Sequence, residues 1–130
     1  MILVGKCMEM CLLIVDDVPE YLNSLSRALS GAHMIVAAHN LDEAKERMSE
    51  TIKLALVDVR LSEEDTSNRD GILFLAWLKE HYPGVPVIMM SAYQDFEATK
   101  NALNLGAAHY LKKPIDLRQL KELIGSLLKD

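Results

Sequence analysis

Short runs of apolar residues alternate along the chain with segments in which apolar residues recur every three or four positions. Runs that are almost continuously apolar are typical of strands buried on both faces of a parallel sheet. They predict strands over residues 11–15, 33–38, 54–59, 86–90 and 107–111. Strand and helix patterns alternate five times. This alternation predicts an α/β fold, a doubly wound five-stranded parallel sheet with five helices on its two faces.

The segments between the strands have the spacing of amphipathic helices. Pro19 is a favoured first-turn residue for the first helix, and Asn40 and Asp116 are suitable N-caps for the second and fifth. Gly106 is expected to end the fourth helix. The residues expected on the buried faces are, helix by helix, Leu22, Leu25, Ala28 and Leu29; Leu41, Ala44 and Met48; Phe74, Leu75 and Leu78; Phe96, Thr99, Ala102 and Leu103; and Leu117, Leu120, Ile124 and Leu127.

The third helix, predicted over residues 72–80, carries apolar side chains on two faces. Beside its core face, Leu73, Ala76 and Trp77 form a second apolar stripe. A helix that is apolar all round is typically buried on both sides. We expect either residues 1–4 or another protein to cover this stripe, and the alternative is an apolar surface that nothing covers.

Residues 1–10 lie outside the alternating pattern, and residues 11–130 are assigned to one domain. The first ten residues are either an N-terminal extension, forming a strand or a docking segment, or sequence added during cloning.

Composition narrows the class of protein further. The length of 130 residues fits one domain that buries its own core. The net charge of −5 argues against nucleic acid as a direct partner and suits a bound cation or a basic protein surface. Cys7 and Cys11 form no CxxC pair and are expected to be reduced thiols. No apolar run is long enough to cross a membrane, and the start is a poor signal peptide, so we expect a cytoplasmic protein without membrane contact.

Polar residues that can carry chemistry stand at the ends of four predicted strands. Asp16 and Asp17 follow the first strand, Asp58 lies near the end of the third, Ser91 follows the fourth and Lys113 follows the fifth. Ligands of a doubly wound sheet bind beyond the carboxyl ends of its strands. We therefore expect these side chains to meet at one edge of the sheet.

The combination of these residue types favours phosphoryl transfer. Crowded carboxylates repel each other unless a cation lies among them, and oxygen ligands suit Mg²⁺, which often binds together with a phosphate. A lysine and a serine hydroxyl can each bind a phosphoryl oxygen. The set therefore predicts transfer of a phosphoryl group to a carboxylate. Each residue taken alone is more simply a turn residue, a helix cap or a solvated charge, so the prediction depends on their joint placement.

Four segments resemble the motifs of response-regulator receiver domains, the CheY-like family of two-component signalling. Residues 12–17 resemble its acidic motif, 56–61 its phosphoacceptor strand, 87–92 its hydroxyl-bearing strand and 106–114 its closing motif. The resemblance covers roughly residues 11–130. It implies the flavodoxin-like topology with strand order 2-1-3-4-5.

Applied to matching positions, the resemblance implies that Asp58 is the phosphoacceptor. It implies that Mg²⁺ is bound directly by Asp17, by Asp58 and by the backbone carbonyl of Arg60, and through water by Asp16. Arg60 and Tyr93 stand at positions that commonly tune the lifetime of the phosphate. Both side chains are large, which predicts slow loss of the phosphoryl group.

The same resemblance implies roles on the neighbouring strands. Ser91 and Lys113 would bind the phosphoryl group, and the peptide bond between Lys113 and Pro114 would be cis. Ser91 and Tyr110 would form a switch that changes the surface of the fourth helix, the fifth strand and the fifth helix.

The chain departs from the family pattern after Asp58. Ser62 stands where proline is usual, and the polar stretch 62–70 delays Gly71 by several residues. Its composition predicts a mobile loop. The loop is either a tolerated insertion or an element that covers the site or recognises the kinase.

Together these observations predict a phosphorylation switch of a His-Asp phosphorelay, with no enzymatic activity beyond its own phosphoryl uptake and loss. The expected partner is a sensor histidine kinase or a phosphotransfer protein. Two surfaces are candidates for a homodimer: the fourth helix with the fifth strand and helix, and the apolar third helix. The alternative is a receiver-like module that binds its partner without phosphorylation. An enzyme such as a small phosphatase or a flavin protein is disfavoured because no glycine-rich phosphate loop follows the first strand.

Overall fold

Strands and helices alternate in the computed structural model, which describes residues 11–62, 64–65, 67–92 and 96–128. The strands of the sheet are β1 (Cys11–Val15), β2 (Met34–Ala38), β3 (Ile52–Asp58), β4 (Val87–Ser91) and β5 (His109–Lys112). The described residues form helices α1 (Pro19–Leu29), α2 (Leu41–Arg47), α3 (Asp70–His81), α4 (Phe96–Asn104) and α5 (Leu117–Leu127).

The five strands pair in parallel in the order β2-β1-β3-β4-β5. This result confirms the predicted fold class and strand order. The bounds differ most at β3, which begins at Ile52, and at β5, which begins at His109. The side chain of Lys53 is exposed and interrupts the apolar run of β3. The start of that strand was therefore hidden in the hydrophobic pattern.

Alternate residues of the central strands supply two core layers, because successive side chains of a strand point to opposite faces of the sheet. Leu12 and Ile14 of β1 pack with the apolar faces of α1 and α5. Leu13 and Val15 pack on the other face with α2, α3 and α4. Burying one such side chain contributes about 1.5–3 kcal/mol. The carboxyl ends of β1 and β3 are thus anchored from both sides of the sheet.

Ala102 of α4 is buried as predicted, but Phe96 and Leu103, which were expected beside it, are exposed. Ala98 and Ala102 are 1% and 0% exposed, whereas Phe96 is 80% exposed and Leu103 is 48% exposed. In α5, Leu117 is 41% exposed instead of buried. The hydrophobic pattern assigned large apolar residues of α4 to the core, but the side chains of α4 that face the sheet are small. The large apolar residues of α4 therefore remain on the surface.

The core face of α3 is buried as predicted. Its second apolar stripe is not buried throughout, since Leu73 is 58% exposed. Trp77 is partly buried, and its ring stacks on His81 with a centroid distance of 4.5 Å and lies 5.9 Å from Nζ of Lys45. Side chains of this chain thus cover part of Trp77. Residues 1–4, which we expected as one cover for the stripe, lie outside the described residues.

The helix boundaries that were predicted from single capping residues are confirmed. Oδ1 of Asn40 accepts a hydrogen bond from the backbone N–H of Glu43 at 2.9 Å. Oδ1 of Asp116 accepts two from the first turn of α5, at 2.9 and 3.2 Å. Gly106 follows α4 with φ of 99°, a left-handed conformation that favours glycine. Within the described part of the chain, no helix is both long enough and apolar enough to span a membrane.

Candidate functional site

The strand-end residues predicted from sequence come together at the carboxyl edge of the sheet. Asp16 directly follows β1, Asp58 is the last residue of β3, and Ser91 is the last residue of β4. Lys113 follows β5, and its backbone N–H donates to the carbonyl oxygen of Ser91 at 2.8 Å. Because the strands are parallel neighbours, their register alone fixes this arrangement.

Three carboxylates form the acidic part of the site. Asp16, Asp17 and Asp58 each offer one oxygen, and these oxygens all lie within 4.8 Å of one another. Asp16 is 0% exposed and Asp58 is 6% exposed. Asp16 is not the N-cap residue of α1, since that position is occupied by Val18, whose own side chain makes no capping hydrogen bond. Oδ1 of Asp16 instead accepts the N–H of Val18 in the turn that leads into the helix.

Lys113 places a positive charge at the site. Its Nζ donates to Oδ2 of Asp16 at 2.7 Å and to Oδ2 of Asp58 at 3.0 Å. Its side chain is 11% exposed, so both ion pairs are largely shielded from solvent. The peptide bond between Lys113 and Pro114 is cis, as the resemblance implied.

The aromatic ring of Tyr21 is a further neighbour of this lysine that the sequence did not predict. Nζ of Lys113 lies 4.1 Å from the ring centroid, a distance that allows a cation–π interaction. The hydroxyl of Tyr21 accepts the backbone N–H of Ile115 at 3.1 Å. The ring thus holds the lysine and the segment after it in place. A tyrosine in the first turns of a helix carries no sequence signal for such a contact.

Burial and charge perturb both partners of the central ion pair. Burial raises the pKa of Asp58 to about 7, and the negative charge of Asp16 adds to the rise, while Lys113 opposes it. Burial alone would lower the pKa of Lys113, but the attraction of Asp58 and Asp16 outweighs it and raises that pKa above its usual value. The site therefore holds more acidic groups than one lysine can balance.

This donor set fits a divalent cation. Carboxylate oxygens are the ligands that Mg²⁺ prefers, and Mg²⁺ commonly uses only one or two of them together with waters and a phosphate. Asp17 and Asp58 present oxygens close enough to share one ion. The backbone of Arg60 is also at the site, since its N–H is hydrogen-bonded to the carboxylate of Asp58. A cation here would relieve the repulsion among the carboxylates.

The two predicted switch residues lie on neighbouring strands, Ser91 at the end of β4 and Tyr110 within β5. Ser91 is 4% exposed at the end of β4. Tyr110 is partly buried against the core layer formed with α2, α3 and α4. Its hydroxyl is buried and finds no hydrogen-bond partner among the described residues. Tyr93, predicted to tune the phosphate lifetime with Arg60, lies outside the described residues.

Gly71 joins the start of α3 to the end of β3. A Cβ atom at this position would lie 1.9 Å from the carbonyl oxygen of Asp58, a distance that no side chain can occupy. The N–H of Gly71 donates to the carbonyl of Val59 at 2.9 Å. The close approach requires glycine, and it ties α3 to the backbone of the candidate phosphoacceptor.

The described part of the loop after Asp58 contains hydrogen bonds between its polar side chains and the backbone. Oδ1 of Asn68 accepts the N–H groups of Leu61 and Asp70, both at 2.9 Å. Oδ1 of Asp65 accepts the N–H of Ser67 at 2.9 Å and its hydroxyl at 2.6 Å. The polar residues from which we predicted a mobile loop thus supply hydrogen bonds within its described part.

Comparison with protein families identifies a relationship over almost the whole chain. The model of the response regulator receiver domain family matches residues 12–125. The response regulator protein PilR of Pseudomonas aeruginosa is 33% identical over 119 residues, and the DNA-binding transcriptional regulator NtrC of Proteus hauseri is 36% identical over 113 residues. These alignments cover 90% and 85% of this chain but 26% and 23% of those proteins. The chain therefore spans about a quarter of their length.

Solved structures show the same architecture. A CheY-like response regulator receiver domain protein from Methanospirillum hungatei has a TM-score of 0.81 and 29% identity, with 90% of this chain and 91% of that chain covered. A response regulator protein from Burkholderia pseudomallei has a TM-score of 0.75 and 25% identity, with 92% and 67% covered. The latter was solved with a phosphorylated aspartic acid, a calcium ion and citrate.

Proposed function

The chain belongs to the response regulator receiver domain family, and from this premise we propose that it is a phosphorylation switch whose phosphoacceptor is Asp58. The observation that carries the proposal is a cluster in which one oxygen each of Asp16, Asp17 and Asp58 lie within 4.8 Å of one another. Oδ2 of Asp58 lies 3.0 Å from Nζ of Lys113. The related protein from Burkholderia pseudomallei, which contains a phosphorylated aspartic acid and a calcium ion, supports the same chemistry.

In the proposed reaction a carboxylate oxygen of Asp58 attacks the phosphorus of a phosphohistidine. The new O–P bond forms as the P–N bond breaks, and the electron pair stays on the imidazole nitrogen of the donor, which then takes up a proton. Hydrolysis of the acyl phosphate by water returns the carboxylate and releases inorganic phosphate. Catalysis by the chain is confined to these two steps on its own phosphoryl group.

The neighbouring residues stabilise the charge that gathers on the phosphoryl oxygens. Lys113 exchanges part of its contact with Asp58 for a phosphoryl oxygen, and the hydroxyl of Ser91 donates to another. Asp17, Asp58 and the carbonyl of Arg60 would hold Mg²⁺, with Asp16 acting through water. When bound, the cation neutralises negative charge shared by the carboxylates and the phosphoryl group.

In this proposal Ser91 and Tyr110 transmit the conformational change from the site to the protein surface. Phosphorylation draws Ser91 toward the phosphoryl group, and Tyr110 on the adjacent strand responds by changing its packing. The affected surface is formed by α4, β5 and α5, where Phe96 and Leu103 already expose apolar area. This surface and α3 remain the two candidate faces for a homodimer.

A sensor histidine kinase or a phosphotransfer protein is the proposed donor, in the cytoplasm. The curated relatives are longer proteins, among them a DNA-binding transcriptional regulator, and the output of the present chain is not assigned. A module that acts without phosphorylation is not favoured, because nothing in the described site replaces the acidic cluster or its lysine.

The proposal is tested by intact mass spectrometry after incubation with acetyl phosphate and Mg²⁺. We expect a mass gain of one phosphoryl group, which is absent with EDTA and absent in Asp58→Asn. The matched control is Asp65→Asn, which removes an exposed carboxylate from the nearby loop and should leave the gain unchanged. No mass gain in the parent chain, or an equal gain in Asp58→Asn, would contradict the proposal.

A further inference from the structure

The side chain of Asn68 joins the two ends of the long loop between β3 and α3. A single oxygen, Oδ1, accepts the N–H of Leu61 at 2.9 Å and the N–H of Asp70 at 2.9 Å. The main chain of Asn68 is itself restrained, because its N–H donates to the carbonyl of Asp65 at 3.1 Å and its carbonyl accepts Nη1 of Arg69 at 2.8 Å. The amide is therefore a fixed acceptor.

The N–H of Leu61 belongs to the same peptide group as the carbonyl of Arg60. A peptide group is planar, and in the trans form its N–H and C=O point in opposite directions. A hydrogen bond that fixes the direction of the N–H of Leu61 therefore also fixes the direction of the Arg60 carbonyl.

The backbone of Arg60 is held on its other side as well. Its own N–H is hydrogen-bonded to the carboxylate of Asp58. The two peptide groups that flank the α-carbon of Arg60 are thus restrained separately, one by Asp58 and the other by Asn68. Together they leave the carbonyl of Arg60 little freedom to rotate.

We propose that Asn68 is a positioning residue for the divalent-cation site, because it orients the Arg60 carbonyl through the hydrogen bond to Leu61. This inference rests on the proposed function, in which that carbonyl is a ligand of Mg²⁺. It assigns to the inserted loop a role in cation selectivity. Mg²⁺ demands nearly ideal octahedral geometry, whereas Ca²⁺ tolerates irregular ligand positions. Loss of the restraint therefore weakens Mg²⁺ binding more than Ca²⁺ binding.

A purely structural role for Asn68 leads to a different expectation. Its bond to the N–H of Asp70 satisfies a donor in the first turn of α3, and loss of such a bond lowers the stability of the helix. That effect would lower thermal stability without altering the ratio of the two cation affinities. The ratio therefore separates positioning from capping.

The experiment measures the dissociation constants of Mg²⁺ and Ca²⁺ by isothermal titration calorimetry, with thermal unfolding in EDTA as the check of folding. We expect Asn68→Ala to weaken Mg²⁺ binding about tenfold and Ca²⁺ binding clearly less. Asn68→Asp keeps the acceptor oxygen and should restore the parent ratio. Asn23→Ala, the same change at an exposed position of α1, is the matched control and should alter neither constant. Should Asn68→Ala be unfolded in EDTA, Asn68→Gln, which displaces the acceptor, takes its place.

Equal loss of affinity for both cations, or no loss for either, would overturn the positioning role and leave the phosphorylation proposal intact. Failure of the parent chain to bind Mg²⁺ at all would overturn both. A selective loss of Mg²⁺ affinity that Asn68→Asp restores would support the inference.

Discussion

Replacing Asp58 by asparagine should stabilise the cation-free protein, and the gain should depend on pH. Burial, followed by repulsion from Asp16, raises the pKa of Asp58 from 3.8 to about 7. A raised carboxyl pKa means that the folded protein holds a proton that the unfolded chain has released. The protonated carboxyl of Asp58 therefore costs no stability below about pH 4. Its ionisation lowers the free energy of unfolding progressively as the pH rises to about 7. Asparagine carries no charge and avoids this loss.

The magnitude follows from the pKa of Asp58. Raising it from 3.8 to about 7 costs the folded state on the order of 4 kcal/mol above pH 8, at about 1.4 kcal/mol per pH unit. Part of this cost is already present at pH 5. Between pH 5 and pH 8 the stability difference between Asp58→Asn and the parent should therefore grow by roughly 2–3 kcal/mol.

Urea unfolding in EDTA, repeated at several pH values, measures this difference. Glu122→Gln is the matched control, because it removes one negative charge from an exposed position on α5 and should change stability little at any pH. Addition of Mg²⁺ should stabilise the parent more than Asp58→Asn, since the cation binds the folded site. A difference that does not vary with pH, or an asparagine variant that is the less stable at pH 8, would refute the reasoning.

Three further predictions concern stability. Gly71→Ala should lower the free energy of unfolding in urea by at least about 3 kcal/mol, because the new Cβ would lie 1.9 Å from a backbone oxygen of Asp58. Gly125→Ala, whose Cβ would have no atom within 4 Å, should instead raise it by about 0.5–1 kcal/mol. Equal effects of the two changes would contradict the steric argument. Tyr110→Phe should leave the thermal midpoint unchanged or raise it, because the lost hydroxyl is buried without a partner among the described residues; a clear fall would show that this hydroxyl is bonded. Asn40→Ala should cost about 1 kcal/mol, because it removes the side chain that caps α2, and restored stability in Asn40→Asp would confirm capping as the cause.

The central site could be predicted from sequence because it depends only on topology. Once strands and helices alternate, the ends of parallel strands must meet, so Asp16, Asp58 and Lys113 were expected together. Their contacts at 2.7 and 3.0 Å agree with that expectation. The resemblance to a family supplied their separate roles, which the hydrophobic pattern does not contain.

Features that depend on side-chain size or on irregular backbone could not be predicted. The buried face of α4 contains Ala98 beside the predicted Ala102, whereas the large residues Phe96 and Leu103, which the hydrophobic pattern assigned to it, are exposed. Asn68 acts on backbone groups seven and two residues away, within a loop that has no periodicity. Tyr21 reaches Lys113 only in the folded chain. Such contacts become visible only when the backbone path is known.

The central claim, that Asp58 receives the phosphoryl group, is tested most directly by chemical trapping. Sodium borohydride reduces an aspartyl phosphate to homoserine and releases phosphate, whereas a free carboxylate does not react. After incubation with acetyl phosphate and Mg²⁺, reduction and peptide mass spectrometry should find homoserine at position 58 and aspartate at positions 16 and 17. Homoserine at another position, or unmodified aspartate at position 58 in a sample that has gained a phosphoryl group, would contradict the account.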